Sequence, residues 1–217
     1  MSFNINAKPD LADGTEVINF ATVYFLSVPE ATRTNGTVNR VTTTIDNVAP
    51  TTTATISSIP NQAGWNNTDV TITLTSTDNE NGSGVKGIHY KLTGSTQDEQ
   101  TIQDDTTQIA ISNEGITNLA YYAVDNEGNT EEKKSLELKS DKTPPTISAT
   151  PLPEPNSNSW NNANVTVTFT AQDTISGVAT VTQPQTITTE GKSQIICGEA
   201  VDLAGNTAST SATLNID

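Results

Sequence analysis

The chain has 217 residues, a formal net charge of −15 and only 33% hydrophobic residues, which allows one large or two ordinary domains with thin cores. Ten Lys and Arg scattered through an acidic chain exclude nucleic acid as a partner, because phosphate backbones need clustered positive charge. No apolar run approaches the roughly 18 residues that cross a bilayer, so this segment does not insert into a membrane, and MSFNINAKPD lacks the basic and apolar regions of an export signal.

The first 45 residues contain three strand-like runs, SFNINAKP, EVINFATVYF and NRVTTTI, too few to close a sandwich. They are expected to form part of an upstream β-module, whose open edge is a candidate for strand exchange with another chain. After the joint DNVAP (46–50), the runs VTITLT, GIHYKL, QIAIS, NLAYYAV and SLELK alternate apolar and polar residues between Gly, Asn, Asp and Ser turns. The expected inward set is Val70, Ile72, Leu74, Ile88, Tyr90, Leu92, Ile109, Ile111, Leu119, Tyr121 and Ala123. After a second joint, DKTPP (141–145), the inward set is Val165, Val167, Phe169, Ile187, Ile196, Ala200, Leu214 and Ile216. No helical period occurs. Short strands with turns every 8–12 residues or so predict an all-β chain of tandem immunoglobulin-like β-sandwiches, divided as 1–45 (partial module), 46–140 and 141–217.

The last two segments are copies of one another. Trp65 and Asp78 match Trp160 and Asp173 at an offset of 95, whereas Asp125, Gly128 and Asn129 match Asp202, Gly205 and Asn206 at an offset of 77. The second copy is therefore shorter in its middle, which predicts a missing or reduced strand and lower stability. The chain ends on Leu214, Asn215, Ile216 and Asp217, which reads as the lead-in to a further joint and predicts more modules beyond it.

The motifs DxT/VxP, WNNxxVTVT, SGV, TEG and AxDxAGN resemble the bacterial Ig-like domains that occur in tandem on large secreted and cell-surface proteins. The resemblance covers 46–217, and the first segment is similar to the closing strands of another surface module. It implies an extracellular location, with neighbouring modules of one parent chain as partners. Family members often carry a Cys pair beside the SGV turn; Ala171 and Val181 occupy the matching positions here. The lone Cys197 has no partner in the chain and is expected to be a buried or half-buried thiol.

Catalytic patterns are absent from the sequence. The single His89 lies in a strand run far from Cys197, there is no HExxH, GxSxG, P-loop or CxxC motif, and the acid pairs Asp104/Asp105 and Glu131/Glu132 read as solvated loop or strand-start residues. A glycosidase would need two carboxylates across a sugar cleft. The recurrence of Trp65 and Trp160 at one position fits a plug at the sandwich end better than a sugar-stacking platform. Calcium is the main ligand to consider, since it takes six to eight oxygens and Asp46, Asp78, Asp125, Asp141, Asp173 and Asp202 recur at joints and loops. The competing assignment makes each a turn former. No other cofactor is expected. The function expected is a non-enzymatic spacer or stalk. The alternative is an adhesin or carbohydrate-binding module that takes a surface glycan or protein ligand.

Overall fold

The computed structural model describes residues 16–18 and 42–217, with side chains from residue 45 onward. β1 (Glu16–Ile18) and β2 (Thr42–Thr44) pair antiparallel, Val17 opposite Thr43. The remainder of the partial module, and with it any strand-exchange edge, lies outside the described residues.

The next eight strands are β3 (Thr51–Ile56), β4 (Trp65–Asn66), β5 (Val70–Thr77), β6 (Val85–Gly94), β7 (Asp98–Ile102), β8 (Thr106–Ile111), β9 (Gly115–Asp125) and β10 (Lys134–Ser140). They form a five-stranded sheet ordered β4-β10-β9-β6-β7 and a three-stranded sheet ordered β3-β5-β8. Period-two alternation puts one face of each strand inward. Ile72 sits opposite Ile109 in one sheet and Tyr90 opposite Tyr121 in the other. All eleven residues expected inward are buried, together with Leu138. Glu131, read above as solvated, is instead buried and joins the two sheets. Its carboxylate accepts the amides of Thr52 (2.8 Å) and Ala123 (3.1 Å) and pairs with Lys134 at 2.6 Å. A carboxylate can be buried here because three donors replace its water.

The remaining strands are β11 (Thr146–Leu152), β12 (Val165–Gln172), β13 (Val178–Val181), β14 (Gln185–Ile187), β15 (Gly191–Asp202) and β16 (Thr207–Ile216). They build two three-stranded sheets, β11-β12-β14 and β13-β15-β16. The β6–β7 hairpin of the first sandwich has shrunk to the four-residue β13. The core is correspondingly smaller: Val165, Val167, Phe169, Ala212, Leu214 and Ile216 are buried, with Ile187 and Ile196 partly buried against them. Gly198 belongs to this core by its lack of a side chain, since a Cβ there would overlap the Phe169 ring. Cys197 departs from expectation. On β15 the even-numbered residues Gly198, Ala200 and Asp202 face inward, so Cys197 and Ile195 point outward and are exposed. The chain is all-β, built of immunoglobulin-like β-sandwiches. Among the described residues no helix is long and apolar enough to cross a membrane.

Candidate metal centre

The six aspartates gather into two triads, Asp46 with Asp78 and Asp125, and Asp141 with Asp173 and Asp202. In each, one oxygen from every carboxylate lies within 4.8 Å of the others, the first and third aspartates are buried and the middle one is half-buried. The same local structure delivers the same three groups twice. The joint aspartate precedes the first strand, the middle one follows the strand that begins after the Trp corner, and the third ends the long strand before the last hairpin.

The joint aspartates are held by amides. Asp46 accepts Val48 N–H on Oδ1 (3.1 Å) and Ser83 N–H on Oδ2 (2.7 Å); Asp141 accepts Thr143 N–H on Oδ1 and Ser176 N–H on Oδ2, both at 3.0 Å. Their carbonyls accept the side-chain amides of Asn129 (3.0 Å) and Asn206 (2.9 Å). Burial pushes the Asp46 pKa up, but the hydrogen bonds from Ser83 and Val48 outweigh it and hold the carboxyl below the usual carboxylate range.

The third aspartate is a turn former by its bonds and a triad member by its position. Asp125 Oδ1 accepts the amides of Gly128 (2.7 Å) and Asn129 (2.8 Å), and Asp202 Oδ1 accepts that of Asn206 (2.8 Å). Gly128 and Gly205 have φ of 95° and 93°, a region that only glycine enters freely. The middle aspartates differ in one respect. Asp78 uses both oxygens, for Asn79 N–H (2.9 Å) and Gly84 N–H (2.6 Å). Asp173 uses Oδ1 alone, for Ile175 N–H (3.1 Å) and Gly177 N–H (2.7 Å).

Three carboxylates at this separation repel one another by roughly 3–4 kcal/mol per pair at an effective dielectric of about 20. None of the six is paired with Lys or Arg among the described residues, whose ion pairs lie at Glu99, Glu131, Glu137 and Asp69. The donors fit a hard divalent cation: all are carboxylate oxygens, close enough together to share an ion at about 2.3–2.6 Å, and the half-buried middle residue leaves an approach from solvent. One oxygen from each of three carboxylates would provide up to half of a calcium shell of six to eight oxygens and more than balance the ion's charge.

No local pattern marks the SGV serines and GN asparagines as the residues that grip the joint aspartate through amide groups. The signal was their recurrence in both copies, beside residues already singled out. The other candidates fall elsewhere. His89 shares a hydrogen bond with Thr101 Oγ1 (2.9 Å) and stacks on Tyr122 at 4.8 Å, on the outer face of the five-stranded sheet. Asp104 and Asp105 are exposed, and Trp65 and Trp160 are half-buried.

No protein-family model matches the chain, and no curated protein matches it. Among solved structures, the fibronectin(III)-like modules of Clostridium thermocellum CbhA are similar to it at 20% identity and a TM-score of 0.34, over 76% of this chain and 93% of that one. The β-sandwich architecture itself follows from the strand orders and cores described above.

Proposed function

We propose that this chain is a non-enzymatic spacer segment of a large, bacterial-type secreted or cell-surface protein, which holds other domains away from the cell and takes up calcium at its acidic joints. The observation that carries this reading is the placement of Asp141. It is fully buried between the sandwiches: its amide donates to Asn66 O in the first (2.9 Å), while its Oδ2 and carbonyl accept Ser176 N–H and the Asn206 side chain in the second. The connecting residue is thus structural in both, and the joint is stiff where a plain linker would bend. Lys142 adds to this, donating its amide to Glu114 (2.5 Å) and its ammonium to Ser112 O (2.8 Å) and Asp69 (2.7 Å). When bound, calcium would bridge the joint aspartate to two loops of the following sandwich and add its charge to the hydrogen bonds already there.

Spin labels placed on the two sandwiches test the reading by pulsed electron resonance. A narrow distance distribution that narrows further with calcium is expected, and a broad one insensitive to calcium defeats it.

The adhesin reading draws on the Tyr122–His89 stack, where a shallow depression of about 150 Å³ includes Thr101 and Lys133. Against it, His89 and Lys133 both lie over the Tyr122 ring, leaving little free face for a sugar. A glycan panel read by tyrosine and tryptophan fluorescence separates the two, because only the adhesin reading expects a response.

A further inference from the structure

Each sandwich has a head, which grips the joint aspartate before it, and a tail, from which the next aspartate leaves. Both heads are engaged in the structure, by Asp46 and Asp141. Only one tail is. At the first tail Asn61 bends its loop by accepting Ala63 N–H (3.0 Å) and Trp65 N–H (3.1 Å), which leaves its Nδ2 to donate across the joint to Leu203 O (2.9 Å), on the tip of the second sandwich's last hairpin. Glu114 accepts the Lys142 amide and the Thr143 hydroxyl beyond the joint.

The second tail repeats this construction. Asn156 accepts Asn158 N–H (2.9 Å) and Trp160 N–H (3.1 Å), and Ser159 takes the positive φ of 65° that Gly64 takes at 82°. Asp217 donates its amide to Asn161 O at 3.0 Å, as Asp141 does to Asn66 O. Glu190 precedes Gly191 as Glu114 precedes Gly115, and it is exposed. Among the described residues neither the Asn156 side-chain N–H nor the Glu190 carboxylate has a partner.

We infer that the face formed by Asn156, Asn161, Glu190 and Asp217 is a docking socket for the head of another sandwich of this same type, placed in line after Asp217. The occupant must carry an Asp-containing SG loop and a D-x-x-G-N hairpin. The loop amide would take the Asp217 carboxylate, the hairpin tip would supply a carbonyl to Asn156 Nδ2, and the residue after Asp217 would donate its amide to Glu190. Asp217 would become the first member of a third acidic triad. The contact is heterologous, head to tail, and so can repeat from one sandwich to the next. This inference rests on the spacer reading, because it extends the same joint by one unit.

The test appends a second copy of residues 142–217 after Asp217, with segmental isotope labelling and residual dipolar couplings measured on each of the three sandwiches. The second and third sandwiches are expected to share one alignment tensor in the relation the first and second show. Asn156→Asp, which keeps the oxygen that accepts the Asn158 and Trp160 amides but removes the Nδ2 donor, combined with Glu190→Ala should release the third sandwich, leaving the melting of the unextended chain nearly unchanged. A third sandwich that is folded but independently aligned, beside a first pair that stays locked, overturns the socket alone. If the first pair is also independent, the spacer reading falls with it. Retention of the shared tensor in the double variant overturns the assignment to these residues. A concentration-dependent dimer of the unextended chain, lost in that variant, would put a second copy in the socket and overturn the in-line occupant.

Discussion

Replacing Asp173 by Asn separates charge from hydrogen bonding at a single atom. Asp173 accepts both of its amides on Oδ1, so an asparagine oxygen in that place keeps both bonds while its Nδ2 stands where an anionic oxygen stood. The change removes repulsion with Asp141 and Asp202, an upper bound of roughly 7 kcal/mol for two pairs at an effective dielectric of about 20. Asp173 is half-buried, and solvent and salt screening reduce this to about 1–3 kcal/mol. In chelator at neutral pH, the second sandwich of Asp173→Asn should therefore melt higher, by about 4–8 °C for each kcal/mol. With calcium the order should reverse, because the variant would lack one of the three carboxylates of the proposed site. The parallel change Asp78→Asn is the control. Both Asp78 oxygens accept amides, so one bond is lost and the gain in chelator should be smaller. Calorimetry with and without calcium reads all four cases. If Asp173→Asn melts lower than the parent in chelator, or keeps the parent's full response to calcium, the repulsive triad is wrong.

Further outcomes follow from the two cores. Glu131→Gln should lower the stability of the first sandwich by about 2–4 kcal/mol in urea titrations, as charge-assisted bonds weaken. Burial raises the Glu131 pKa, but Lys134 and Thr52 outweigh it and hold the carboxyl low. A depressed folded pKa gives stability that is present above the unfolded value and lost as pH falls through the folded one, so the variant should also flatten the acid limb. Burial and the Asp98 hydrogen bond push Tyr90 up to about 12. Its stabilisation is present below the unfolded pKa of about 10 and disappears as pH rises toward 12, so Tyr90→Phe should abolish a late absorbance step near 295 nm. Gly198→Ala should cost about 1–3 kcal/mol by displacing Phe169, an overpacking penalty visible as a lower transition of the second sandwich only. In the parent protein that sandwich should melt first in scanning calorimetry, having eight buried apolar residues, three of them alanine, against twelve.

The strand faces were legible in the sequence because period-two alternation reports directly on burial, and every residue expected inward in the first sandwich is buried. Cys197 was misplaced because the run SQIICGEAV has apolar residues on both faces: Ile195 and Ile196 are adjacent, and only pairing with Thr213 and Ala212 determines which of them points in. Glu131 was misread for a different reason. Its partners Thr52 and Lys134 lie 79 residues before it and three residues after it, and nothing local marks a carboxylate that will be buried by a strand so distant. The six aspartates were singled out by recurrence at fixed offsets. Recurrence does not say that three positions spread over 79 residues in one copy and 61 in the other meet at one point; that needs the joint to fold back under the SG loop and the last hairpin.

The short strand β4 runs parallel to β10, Trp65 beside Lys139 and Asn66 beside Ser140, and the Asp141 amide extends the ladder by one bond. The chain enters the sandwich on the β3–β4 side and leaves it directly from β10. A pull on the two ends would draw these neighbouring strands in opposite directions along their own axes. The bonds between them would then carry load together in shear, instead of opening one at a time as a peeled hairpin does. A few residues at the exit could therefore set how much tension a sandwich withstands, independently of how stable its core is at rest.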